Sequence, residues 1–226
     1  NGAFEPEEKL RLERLVADVT GRGLAALIDP HNYARRRVRE DDWSREHLIG
    51  SRAVPTESFL DFWSRLAAMF KDDQRVILGL MNEPYDLSAT QWLQIANRAI
   101  VAIRASRARN LITVPGTAYS GAHSWLTSGN TALEGVVDPL SRFAIEVHQY
   151  FDQNSSGTSP EAISGSCGSE RLQQFQTWAR QKGLKAFLGE FGSADNPTSL
   201  KALSDICQEM SANPDVWLGW TAWAAG

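Results

Sequence analysis

The 226-residue sequence predicts an α/β fold of the (β/α)8 TIM-barrel type, with strands 3 to 8 present in this chain and strands 1 and 2 missing. Three observations lead there. Short apolar runs alternate with amphipathic helical patterns along the chain, an order that implies a parallel sheet covered by helices. Polar and acidic residues gather just after the apolar runs, at strand C-terminal ends, where barrels of this type assemble their active sites. No GxGxxG turn follows a strand, which disfavours a dinucleotide-binding sheet.

The elements follow in order. Glu7–Thr20 places Leu12, Leu15, Val16 and Val19 at helical spacing and stops at Gly21 and Gly23. Leu24–Ile28 is a short buried strand. Thr56–Phe70 is helical, with Phe59, Phe62, Trp63, Leu66 and Phe70 on one face, and Val76–Leu80 is the next strand. Ser88 and Gln91 form a capping box for a helix carrying Trp92, Ile95, Ala99 and Ile103. Leu111–Val114 and Phe143–Tyr150 are strands, Ser169–Lys182 is a helix, and Ala186–Gly189 is a strand. Asn196-Pro197 supplies a cap and an N1 proline for a helix with Leu200, Leu203, Ile206 and Met210, and Val216–Trp220 is the last strand. The basic run Arg35–Arg39 reads as a solvated loop.

Composition narrows the function classes. With 42% hydrophobic residues the chain supports one sizeable core, read as a single domain over residues 1–226. A net charge of −4 disfavours a nucleic-acid partner. No apolar run approaches the ~18–20 residues of a membrane span, and no secretory apolar region opens the chain. Eight Trp and nine Phe serve mainly the core, although exposed Trp faces also hold sugar rings. Cys167 and Cys207 form no CxxC or Cys/His cluster, so a zinc site is not expected. They are expected to form a disulfide, since the elements carrying them should be neighbours; the alternative is two buried free thiols.

The residues that carry chemistry stand at strand ends. Glu83, in Leu78-Gly79-Leu80-Met81-Asn82-Glu83-Pro84, follows an apolar strand into a half-dry cleft, where desolvation favours an acid role. Asn82 can hydrogen-bond a sugar hydroxyl. Glu190, in Ala186-Phe187-Leu188-Gly189-Glu190-Phe191-Gly192, repeats the situation, with glycines leaving room beside the carboxylate. Two glutamates at the ends of two strands supply the pair that glycoside hydrolysis needs. His148 and Tyr150, two apart on one strand, face the same side, and a Tyr hydroxyl can hold a carboxylate ionised and aimed. Glu146 shares that face and is a rival candidate, read as an interior carboxylate paired with an Arg or His. His31 follows Asp29-Pro30 at another strand end, and His123 and Trp125 either line a sugar subsite or pack.

These motifs together resemble glycoside hydrolase family 5, in detail its endoglucanase (cellulase) branch. Pro30-His31-Asn32-Tyr33, Asn82-Glu83-Pro84, His148-Gln149-Tyr150, Gly189-Glu190-Phe191-Gly192 and Trp220–Trp223 stand in the family's order and approximate spacing over essentially the whole chain. The resemblance implies Glu83 as acid/base and Glu190 as nucleophile. It places His31, Asn82, His148 and Tyr150 on the −1 sugar or the carboxylates, with Trp223 stacking under that sugar. It also implies a β-glucan polysaccharide or oligosaccharide substrate, a secreted enzyme, a monomer, and no cofactor or metal. The family's Arg at the end of barrel strand two has no counterpart here, and Arg35–His47 looks like an insertion. The expectation is therefore an N-terminally incomplete part of a protein of roughly 300 residues. Two other readings stay open: a sugar-binding relative without turnover, and a metal-dependent hydrolase using His31, His148 and the carboxylates.

Overall fold

The computed structural model describes residues 2–38 and 45–224. Five α-helices are present among them: α1 (Pro6–Gly21), α2 (Thr56–Phe70), α3 (Ala89–Ala105), α4 (Cys167–Gln181) and α5 (Pro197–Ala212). The strands are β1 (Ala26–Ile28), β2 (Arg35–Arg37), β3 (Glu46–Leu48), β4 (Val76–Gly79), β5 (Ile112–Pro115), β6 (Phe143–His148), β7 (Ala186–Glu190) and β8 (Trp217–Trp220). Six of them form a parallel sheet in chain order, β1-β4-β5-β6-β7-β8. The predicted α/β alternation and its six strands are thus present, where a closed (β/α)8 barrel has eight.

The helices start where the sequence chemistry places them. Pro6 opens α1, and the Glu5 side chain accepts the Glu8 N–H at 2.9 Å. Ser88 and Gln91 make the reciprocal capping box before α3: Ser88 N donates to Gln91 Oε1 at 3.0 Å, and Gln91 N to Ser88 Oγ at 3.2 Å. Asn196 caps α5 through the Ser199 N–H at 2.9 Å, with Pro197 at the first helical position.

Contacts divide the chain into two compact units, the first holding residues up to Asn82, Leu93–Thr113 and Val136–Phe143, the second the rest. In the first unit, β1 pairs with β4 (Leu27↔Ile77) and β4 with β5 (Leu78↔Ile112). Phe59, Trp63, Leu66, Ala67 and Phe70 form the buried face of α2, and Trp63 Nε1 donates to the Leu80 carbonyl at 3.2 Å. The Asn110 amide donates to the carbonyls of Asp73 (2.8 Å) and Val76 (2.9 Å), tying the end of α2 to the start of β4. The basic run is a correction: Arg35–Arg37 is not loop but strand β2, paired antiparallel with β3, Arg36 opposite His47. An Arg37–Glu46 ion pair at 3.3 Å crosses the ribbon, as opposite charges on facing positions favour. Arg39 lies outside the described residues, as does part of the Arg35–His47 stretch read as an insertion.

In the second unit, β6 pairs with β7 and β7 with β8. Trp125 is fully buried, edge-on to Phe175 (5.0 Å between centroids) and tilted against Trp178 (5.4 Å). It is a packing residue; the subsite alternative for it falls. The disulfide expectation is also corrected. Cys167 and Cys207 are both free thiols. The first turn of α4 rests on α5, so closely that a Cβ on Gly168 would lie 2.7 Å from the Ala202 carbonyl oxygen and 2.8 Å from Ile206 Cβ. That contact uses the Ala202/Ile206 face of α5. Cys207, one residue on, points about 100° around the helix. Cys167 Sγ instead lies 3.1 Å from the Ser164 carbonyl oxygen.

Candidate active site

The site is built from strand ends of the second unit. β6 and β7 run in register until Val147↔Leu188; the register then shifts, so His148 stands opposite Glu190. Such an irregularity re-aims side chains at a strand end. Gln149 N donates to the Glu190 carbonyl at 2.9 Å and continues the ladder one residue further.

Glu83 sits in the turn that follows Asn82, with φ +42°, the left-handed region that non-glycine residues seldom occupy. The turn is braced from the loop after β5, where Tyr119 N donates to the Pro84 carbonyl at 3.2 Å. Its carboxylate meets His148: Nδ1 to Oε1 is 2.7 Å. The same nitrogen lies 3.5 Å from Glu190 Oε2, while His148 Nε2 faces Glu146 Oε1 at 3.4 Å. The Tyr150 hydroxyl donates to Glu190 Oε2 at 2.9 Å. All of this is sheltered: the His148 side chain is 3% exposed, that of Glu190 11% and that of Glu83 16%.

The surroundings of the imidazole favour its charged form. Burial alone would push its pKa down, but hydrogen bonds to Glu146 and Glu83 and the charges of Glu190 and Glu146 outweigh it and raise it to about 10. One carboxylate oxygen of Glu83, one of Glu190 and a ring nitrogen of His148 lie within 4.8 Å of one another. Within this trio the short contact is the one between His148 Nδ1 and Glu83 Oε1. The two carboxylates are close enough for one to attack a carbon while the other protonates the adjoining oxygen. An inverting pair stands roughly 6.5–9.5 Å apart to admit a water.

Comparison with known proteins agrees with that chemistry. The description Cellulase (glycosyl hydrolase family 5) matches residues 1–226. The chain belongs to glycosyl hydrolase family 5. Among curated relatives, Endoglucanase 1 of Robillarda sp. is 39% identical over 212 residues, covering 91% of this chain and 54% of that protein. Probable endo-beta-1,4-glucanase B of Aspergillus niger is 35% identical over 225 residues, covering 100% and 64%. The chain thus spans between half and two-thirds of the length of these relatives. Among solved structures, XacCel5A in complex with cellopentaose superposes with a TM-score of 0.93 at 43% identity, over 100% of this chain and 71% of that one. Cel5A (EG2) from Hypocrea jecorina gives 0.91 at 28%, covering 100% and 67%.

The remaining family 5 positions read from the sequence fall into place unevenly. Trp223 is 53% exposed and lines, with Tyr150 and Gly192, a cavity of about 340 Å³ in the second unit. Its backbone N–H donates to the Phe191 carbonyl at 2.8 Å. His123 is exposed, and its backbone N–H donates to Gln149 Oε1 at 2.9 Å. His31 and Asn82 belong to the first unit and meet each other, His31 Nε2 to Asn82 Nδ2 at 3.2 Å, with Asp29 Oδ2 3.5 Å from His31 Nδ1. The room at Gly189 is taken up by Glu146, not left free beside Glu190: a Cβ there would lie 2.6 Å from Glu146 Oε1. The sequence reading missed a stacked pair, Tyr85 and Tyr119, with centroids 4.7 Å apart and planes 18° from parallel. Tyr85 follows Glu83-Pro84 directly, and that adjacency was the available signal. It also missed Ser120, whose Oγ donates to the Glu146 carbonyl at 2.6 Å.

Proposed function

We propose that the protein is a retaining endo-β-1,4-glucanase that hydrolyses cellulose or related β-glucans through a glycosyl-enzyme intermediate. The observation that carries this reading is the short distance between the Glu83 and Glu190 carboxylates, within 4.8 Å at their nearest oxygens. Glu190, with Oε2 held by the Tyr150 hydroxyl, attacks the anomeric carbon while Glu83 gives its proton to the departing glycosidic oxygen. Glu83, now a carboxylate, then takes a proton from the water that releases the sugar from Glu190. The donor to Glu83 Oε1 is the His148 Nδ1–H, which steadies the carboxylate between the two steps. Trp223 offers an exposed aromatic face beside Tyr150 on which a sugar ring can stack. The relative solved with cellopentaose supports a β-1,4-glucan ligand. Among the described residues no helix is long and apolar enough to cross a membrane. Because a polymer of this kind is met outside the cell, secretion is part of the proposal.

The test is hydrolysis of soluble cellulose derivatives, mixed-linkage glucan, xyloglucan and mannan, with product sizes and the first-formed anomer followed by NMR. Internal cleavage of a β-1,4-glucan giving the β-anomer first supports the reading. The α-anomer first, or no cleavage of any β-1,4-linked polymer, overturns it.

A further inference from the structure

Glu146 has no place in the double displacement, yet it is built into the centre of the site. It lies on β6 two residues before His148, so both side chains leave the same face of the strand. It is 5% exposed. The glycine before Glu190 is what admits it, since any side chain at 189 would run into its carboxylate. Ser120 fixes its backbone from the loop after β5 through the Glu146 carbonyl.

The consequence lies in the ring of His148, which has carboxylate oxygens at both nitrogens, Glu83 at 2.7 Å on Nδ1 and Glu146 at 3.4 Å on Nε2. A neutral imidazole has one N–H and one lone pair. Whenever Glu83 and Glu146 are both ionised, either tautomer would turn its lone pair toward a carboxylate oxygen across a dry gap, a repulsive contact. Only the doubly protonated ring donates in both directions. We propose that Glu146 is a positioning residue that keeps His148 doubly protonated across the working pH range, so that a charged ring, not a neutral one, stands against Glu83. This rests on the reading of Glu83 as the acid/base. Among the described residues, the titratable groups at the ring are Glu146 from β6, Tyr150 just beyond its end, Glu83 from the turn after β4 and Glu190 from β7; the loop after β5 contributes Ser120 and Gly121, which carry no charge. Of these, only Glu146 reaches Nε2. Without it, Nε2 has no acceptor and the ring gives up that proton at a lower pH, since burial then weighs against fewer opposing charges.

The decisive measurement is the ¹⁵N NMR signature of the His148 ring across pH 5–9, in the protein and in Glu146→Gln and Gly189→Ala. Gly189→Ala displaces the Glu146 carboxylate without removing it, and so keeps the test open if Glu146→Gln does not fold. The unsubstituted protein should show both ring nitrogens protonated at pH 8. Each variant should show a ring that titrates within pH 5–9. In parallel, kcat/KM on an activated aryl cellobioside should gain one ionisation in that range in the variants, and fall roughly tenfold or more at pH 8. A neutral ring in the unsubstituted protein at pH 8 would overturn the proposal. So would variants whose ring stays doubly protonated, or whose rate falls by the same factor at every pH. The NMR experiment contains no substrate, so an inactive protein with a Glu146-dependent cation would count against the glucanase reading alone.

Discussion

The turn after β4 and the end of β7 each set a glutamate beyond an apolar strand, and each gives it different surroundings. Glu83 stands on left-handed backbone, outside the ladder, and its carboxylate meets a ring nitrogen of a buried imidazole. Glu190 is still within the ladder, opposite His148, and its carboxylate meets a phenol. The strand end supplies the position; the neighbouring donor supplies the role. A carboxylate held in a strand and oriented by one hydroxyl can be aimed at a single carbon. A carboxylate on a turn, beside a ring that keeps its own proton, can give and take a proton with little rearrangement.

If the difference is real, removing each glutamate should fail in its own way. Glu190→Gln should lower turnover on the order of 10⁴-fold or more on every substrate, because the bond-forming atom is gone, while calorimetry still detects cello-oligosaccharide binding. Glu83→Ala should lower turnover of polymer by about 10²–10⁴-fold but leave a fast first burst on an activated aryl glycoside, whose leaving group needs little protonation. Equal loss of that burst in both variants would erase the distinction.

A smaller effect sharpens the Glu190 side. Tyr150→Phe removes the hydroxyl that donates to Glu190, the proposed nucleophile, and leaves Glu83 untouched. A hydrogen bond to a charged group is worth about 1.5–3 kcal/mol, so kcat should fall roughly tenfold to a hundredfold. Burst kinetics should place the loss in the first step.

The Glu83 side can be probed through stability. His148 is raised from 6.5 to about 10 in the folded protein, so its contribution is fully present below about pH 6.5 and is lost as pH rises through about 10. The melting temperature should therefore decline across that window, and the decline should flatten in His148→Gln. The smallest expected effect belongs to the cysteines. With both thiols free, reductant should leave the melting temperature unchanged, and two thiols should titrate in the denatured, unreduced protein.

Much of this was legible in the sequence, for identifiable reasons. Glu83 and Glu190 each interrupt an apolar strand pattern at its end, and a carboxylate there has few structural uses. The two-residue period of a strand put Glu146, His148 and Tyr150 on one face, and a histidine, without saying which, was among the partners expected for Glu146. Capping at Ser88 and Asn196 could be read because those contacts are local. What escaped depends on geometry that residue types do not announce. The register shift after Val147 sets His148 opposite Glu190, and nothing in the order Val-His-Gln signals it. The Tyr85–Tyr119 stack rests on Ala118, Tyr119 and Ser120 all having positive φ, without a glycine among them to mark the turn. Trp125 and the cysteines turn on which way a side chain points once helices pack. Neighbouring elements were enough to suggest a disulfide, but the rotation of α5 about its own axis excludes it.

The central claim is that Glu190 is the residue that bonds to sugar. An activated 2-deoxy-2-fluoro cellobioside slows release of the glycosyl-enzyme more than its formation, and mass spectrometry of the digested protein then locates the attached sugar. The account predicts one fluorocellobiosyl group per chain, on the peptide containing Glu190 and absent in Glu190→Gln. Attachment at Glu83 or Glu146, or turnover of the reagent with no covalent adduct at any time, would contradict it.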